Sequence, residues 1–130
     1  MYHEITIVGH LGRDPEIRYV PSGDPVTNFS VAVNENWTNK DGEKQERTVW
    51  YRISAWRRLA EVCNEYLSKG RQVLVKGRLI ADADTGGPRV WEDREGNPRA
   101  SFEINASKVL FLGGRGNTAD EPAGEEEILF

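Results

Sequence analysis

Two segments, VTNFSVAVNE beginning at Val26 and TVWYRISAW from Thr48 to Trp56, alternate apolar and polar side chains with a period of two. Such a pattern fits a half-buried β-strand and cannot place a helix face against a core. In the first, Phe29, Val31 and Val33 oppose Asn28, Ser30 and Asn34. In the second, Val49, Tyr51, Ile53 and Ala55 form the core side. The other side carries Thr48, Trp50, Arg52, Ser54 and Trp56. Two indoles and a guanidinium along one edge of one strand suit neither a plain core nor a plain solvent surface.

The remaining segments follow the same logic. EITIVGHLG alternates around Ile5 and Ile7 and predicts a first strand, and a short extended piece at 17–20 follows among Pro15, Pro21, Gly23 and Pro25. Only RLAEVCNEYLSKG has helical spacing, through Leu59, Val62, Cys63, Tyr66 and Leu67, with Gly70 at the expected C-cap. RQVLVKGRLIA predicts a strand bent or bulged at Gly77. VWEDREGNPRASFEINASKVLFLG predicts a long hairpin arm, a turn at 95–98 and a final strand. Three strands, one helix, then further strands match an all-β fold: a five-stranded OB-type barrel with one helix and extended hairpins. A split β-α-β arrangement would need a second helix. From Gly113 the pattern stops, and GGRGNTADEPAGEEEILF predicts a disordered acidic tail. Ile128, Leu129 and Phe130 at its end read as a short peptide for a partner's pocket, with the acids steering it; a chance terminus is the plainer reading.

A chain of 130 residues is long enough for one domain with a real core. Its net charge of −4 looks unfavourable for contact with nucleic acid. The tail accounts for all of it: Asp120, Glu121, Glu125, Glu126 and Glu127 face only Arg115, leaving residues 1–112 neutral. A neutral body can still segregate its cations into a groove. No apolar run reaches membrane-spanning length, and MYHEITIVGHLG does not read as a signal peptide. With a single cysteine, Cys63, on the apolar helix stripe, a reducing cytoplasm is expected, and Cys63 reads as a small buried hydrophobe. No spacing of Cys or His resembles a metal site, GGRGN lacks the strand–helix context of a phosphate loop, and no carboxylate pair stands out. No enzyme, cofactor or metal is expected. Asn-x-Ser/Thr triplets at 28–30, 36–38 and 105–107 are coincidences in a protein that is not exported.

Binding chemistry is better represented. Bases of single-stranded nucleic acid stack on aromatic rings while phosphates seek Lys and Arg. Trp50, Arg52 and Trp56 supply both along one strand face, where alternate residues stand about 7 Å apart. Arg57, Arg58, Lys69 and Arg71 bracket the helix, and Trp37 and Trp91 adjoin polar or basic loops. Simple alternation from Phe29 sends Trp37 to the core side, so its exposure requires a bulge or the end of the strand. A structural role for the indoles, closing the barrel or a subunit contact, is the competing explanation.

VGHLGRDPEIRY, PVTNFSVAVNENW, TVWYRISAWRRLAEVCNEYLSKG and KGRL, in this order and spacing, closely resemble the bacterial single-stranded DNA-binding proteins of the homotetrameric OB-fold type. With the hairpin, the likeness covers nearly all of residues 4–112. It implies a DNA-binding domain over 1–112, a flexible linker over 113–124 and an interaction tip over 125–130. It also implies stacking roles for Trp37, Trp50 and Trp91, and for Trp56 where the family often has phenylalanine. Arg18, Lys40, Arg52, Arg58 and Lys69 match basic, DNA-facing positions. Glu125, Glu126, Glu127, Ile128, Leu129 and Phe130 resemble the acidic tip that recruits replication, recombination and repair proteins. The implied setting is the bacterial cytoplasm and nucleoid. Two features depart from the pattern. Asp82 and Asp84 replace a basic run before the hairpin, leaving DNA contact there to Arg89, Arg94 and Arg99. Leu129 stands where proline is usual, and the linker spans at most ~40 Å extended, with a flexible span of ~20 Å. The alternative reading is an OB-fold protein-interaction or primosome accessory module.

Overall fold

A computed structural model of the protein describes residues 1–113; the linker beyond Gly113 and the 125–130 tip lie outside the described residues. Five strands form the barrel: β1 (Ile5–Leu11), β3 (Pro25–Thr38), β4 (Lys44–Trp56), β5 (Gln72–Leu79) and β8 (Phe102–Leu112). A short β2 (Glu16–Tyr19) lies along β3, α1 (Arg58–Tyr66) separates β4 from β5, and β6 (Val90–Glu92) pairs with β7 (Pro98–Ala100) as a separate arm. The sheet runs β1-β5-β8-β4-β3-β2. Pairing of His10 with Ala32 and Leu11 with Val31 brings β1 back to β3 and closes the barrel. The predicted five-stranded OB-type barrel with one helix is the observed fold.

Closure follows from the alternation. Ile7, Phe29, Val31, Ile53, Val73, Val75, Ile104, Val109 and Phe111 all point inward and are buried. The α1 stripe of Leu59, Val62 and Cys63 plugs one end of that core. Thr27, wholly buried, donates its hydroxyl to the Ala60 carbonyl at 2.7 Å and ties β3 to the helix. Cys63 is fully buried, and desolvation pushes its thiol up to about 12, so it packs as a hydrophobe. The helix ends one turn earlier than the Gly70 position suggests: Leu67 turns extended at the cap and buries its side chain in the core. Gly70, at φ 88°, serves the following turn, where its N–H donates to the Leu11 carbonyl. No described helix is long and apolar enough to cross a membrane.

The anticipated irregularity at Gly77 is present, and its extra residue lies on the partner strand. Pairing of β5 with β8 slips between Lys76 and Gly77: Lys76 faces Lys108 while Gly77 faces Ala106. Ser107 is thus left over, and its hydroxyl donates to the Lys76 carbonyl at 3.1 Å. A side chain at position 77 would run into the Asn105 carbonyl, which is why glycine fits here.

Candidate nucleic-acid interface

Register turns the outer side of β3 and β4 into a grid. Opposed residues on neighbouring strands share a face. Ala32 thus sits beside Trp50, and Ser30 beside Arg52 and then Glu103 of β8. Asn28 sits beside Ser54 and Asn105, and Val26 lies between Arg18 of β2 and Trp56. Trp50, Arg52 and Trp56 therefore occupy one face with Arg18, while Tyr51, Ile53 and Ala55 turn to the core side. Trp50 is 53% exposed and Trp56 38%. These values leave ring area open while fixing the ring edges.

Hydrogen bonds hold this face in place. Trp56 Nε1–H donates to Asn105 Oδ1 at 3.2 Å, and Asn28 Nδ2 donates to Ser54 Oγ at 2.8 Å. Polar demands of the face are thereby met internally, and its rings and cations stay available. Among the described residues Arg18, Arg52 and Arg58 enter no ion pair. Arg57, between Trp56 and the helix, adopts φ 56°. That left-handed conformation is unfavourable for arginine. Its N–H bond to the Pro25 carbonyl and its ion pair with Asp24 at 3.6 Å hold it there.

Trp37 lies at the end of β3 in unbroken register with Gln45, so strand end and not bulge explains its 43% exposure. The β3–β4 hairpin outruns the barrel there, and the core-side face of the ribbon has no core left to cover. Alternation puts Trp37 on the opposite face of the ribbon from Trp50. Arg47 lies over the indole at 4.8 Å from the ring centroid and is held by Glu35 at 2.8 Å. One ring face is covered by a guanidinium, and the indole remains partly exposed. Lys40 stands at the tip of this hairpin.

The β6–β7 arm carries Trp91 opposite Arg99. Its turn is built on Asp93, which accepts the N–H groups of Asn97 and Glu95 and, at 2.9 Å, the Arg99 Nε–H. The Asn97 N–H, followed by Arg99, holds the Asp93 carboxyl below its usual 3.8. Because the folded value is lowered, the turn's contribution is full above the unfolded value. It is lost as pH falls through the folded one. Acidification is therefore expected to leave the Asn97 amide resonance unmoved down to about pH 4 and to shift it only below that. A midpoint at or above the ordinary carboxylate value would contradict this ordering.

The three arginines expected to serve the arm are not equivalent. Arg89 is paired with Glu103 at 2.6 Å and Arg99 with Asp93, so part of each guanidinium is already engaged by a carboxylate. Arg94 enters no ion pair among the described residues. Asp82 acts mainly as a turn former: its carboxylate accepts the Asp84 and Thr85 N–H groups. Lys69 donates its backbone N–H to Asp14, which sets the helix exit against the β1–β2 turn. Periodicity missed Gly12, Arg13, Ser30 and Arg47. Gly12, Arg13 and Ser30 line a cavity of about 260 Å³ with Trp50. Only the opposition of Arg47 to Glu35 across the hairpin could have signalled its place beside Trp37.

Comparison with known proteins agrees with this architecture. Residues 2–112 match the model of the Single-strand binding protein family. The chain is 38% identical over 124 residues to the single-stranded DNA-binding protein of Neisseria meningitidis serogroup A, covering 95% of this chain and 67% of that one. It is 40% identical over 122 residues to single-stranded DNA-binding protein 1 of Chlorobaculum tepidum, covering 91% and 71%. A solved complex of Plasmodium falciparum SSB with ssDNA superposes with a TM-score of 0.71 at 30% identity, covering 86% of this chain and 96% of that one.

Proposed function

The chain belongs to the single-strand binding protein family, and from that premise we propose that it coats single-stranded DNA with little sequence preference. The observation that carries the reading is the outer face of β4, where half-open Trp50 and Trp56 flank Arg52 and none of the three is spent on the core. Bases stack on the four tryptophans. Arg18, Lys40, Arg52, Arg58 and Lys69 meet the phosphates, and Arg89, Arg94 and Arg99 extend the path along the arm. Duplex is refused because its bases are already stacked on each other. The protein carries no catalytic group in this reading; it shields strands exposed in replication, recombination and repair in the bacterial cytoplasm. It works as a homotetramer, a reading supported by Leu79 and Phe102, exposed in an apolar groove that the start of β1, the segment after β5 and the start of β8 line.

The test is tryptophan fluorescence during titration with oligo(dT) and with a matched duplex at two salt concentrations. Quenching by oligo(dT) alone, saturating at a fixed nucleotide number, is expected. Affinity should fall with salt at a logarithmic slope of about −0.7 per neutralised phosphate. Absence of quenching from a folded chain would assign the aromatic face to a protein partner. The tip at 125–130 is the recruitment peptide. Deleting Ile128–Phe130 is expected to abolish capture of replication and repair proteins and to leave oligo(dT) binding intact. Capture that survives the deletion would remove that role.

A further inference from the structure

Gly12 ends the β1 edge where the chain turns toward β2, and the Trp50 indole lies directly against it. A Cβ built on Gly12 would stand 2.5 Å from Trp50 Cζ3 and 2.7 Å from Cη2. The third contact within 4 Å is Cε3 of the same ring, at 3.8 Å. Apart from its chain neighbours, the three nearest atoms to that position among the described residues all belong to the indole. The glycine's backbone is also not in the left-handed region, so an alanine there meets no left-handed strain. The turn itself is tied down on both sides. The Gly12 N–H donates to the Ser30 carbonyl at 3.1 Å, and the Gly70 N–H donates to the Leu11 carbonyl at 2.9 Å. A fixed stretch of bare backbone therefore forms a wall for the outer end of the ring.

We infer that Gly12 is a positioning residue for Trp50: its missing side chain is the seat that sets where the indole presents its stacking face. The inference rests on the single-stranded DNA reading and adds a residue to that site. On β3 only the small Ala32 side chain stands opposite Trp50, which leaves it little lateral support on that side. The wall at Gly12 supplies that support. Any side chain at 12 forces the ring edge back by about 1 Å to regain ordinary contact. A stacked base follows the ring plane, so such a displacement costs affinity although no group that touches DNA has been removed. Ser30 and Arg13 line the same cavity as the ring, so a displaced indole would change its place relative to both.

The experiment uses the full chain and a fluorescein-labelled oligo(dT), read by anisotropy, so that the signal does not depend on the tryptophan under study. Wild type, Gly12→Ala, Trp50→Ala and the double variant are compared, each with its thermal midpoint. Gly12→Ala is expected to weaken binding about tenfold, within the range for one impaired stack, with an unchanged midpoint. In the Trp50→Ala background the same substitution is expected to change nothing further, because the ring it displaces is gone. A wild-type chain that binds but a Gly12→Ala variant of equal affinity would overturn the inference alone. An equal loss in both backgrounds would also overturn it, since Gly12 would then act on something other than Trp50. So would a clear fall in midpoint, which would place a neighbour other than the indole in the way. A wild-type chain that fails to bind oligo(dT) would instead overturn the parent reading, and the inference with it.

Discussion

Replacing Trp50 with alanine is expected to weaken oligo(dT) binding by roughly 5- to 150-fold while the protein stays folded. The size follows from the ~1–3 kcal/mol that one base–aromatic stack contributes. Retention of the fold follows from position: Trp50 is 53% exposed and lies opposite Ala32 on the outer face, so its removal opens no core cavity. Anisotropy with labelled oligo(dT) and a urea melt separate the two quantities. Unchanged affinity in a folded variant would take Trp50 out of the interface. Trp50→Phe should recover part of the loss, because a smaller ring still stacks. A purely electrostatic role for the face would predict no such recovery.

Gly77→Ala is expected to cost stability rather than affinity alone. Its Cβ would drive into the Asn105 carbonyl oxygen and lie 2.9 Å from the Ala106 Cα. These are backbone atoms at the bulge that joins β5 to β8, so relief requires the ladder to shift. Overpacking of this kind costs about 1–3 kcal/mol. It should appear as a lower urea midpoint at constant protein concentration, since association would otherwise change the apparent stability. Asn105 also accepts the Trp56 indole N–H, so the same substitution should loosen Trp56 and reduce oligo(dT) affinity. An unaltered midpoint would mean that the bulge can open without resistance. The contrast with Gly12 is instructive. Both glycines exclude a side chain, but one faces immovable backbone and the other the far edge of a movable ring.

Most of the barrel was legible along the chain because its strands are half-buried. Val49, Tyr51, Ile53 and Ala55 had to share a face whatever their partners were. The single helix was equally plain, although its end was not. Gly70 looked like a cap, but burial of Leu67 ended the helix sooner, and burial is a tertiary property. The bulge announced itself through Gly77, but its surplus residue, Ser107, sits on the other strand. A local pattern holds no information about which partner absorbs a slip.

The interface divides in the same way. That Trp50, Arg52 and Trp56 lie together on one outer face was determined by the sequence itself, since the period of a strand is a property of its own backbone. Tertiary structure alone decided which cations are already engaged. Among the described residues Arg89 is paired with Glu103 and Arg99 with Asp93, whereas Arg52 and Arg58 enter no ion pair. It also decided that Arg47 covers one face of Trp37 and that Gly12 seats Trp50. Each of these depends on strand register or barrel closure, which bring residues far apart in the chain within contact distance. The reason is physical: the alternation that sets a side chain's direction is local, while its neighbours are fixed only when the sheet pairs and closes.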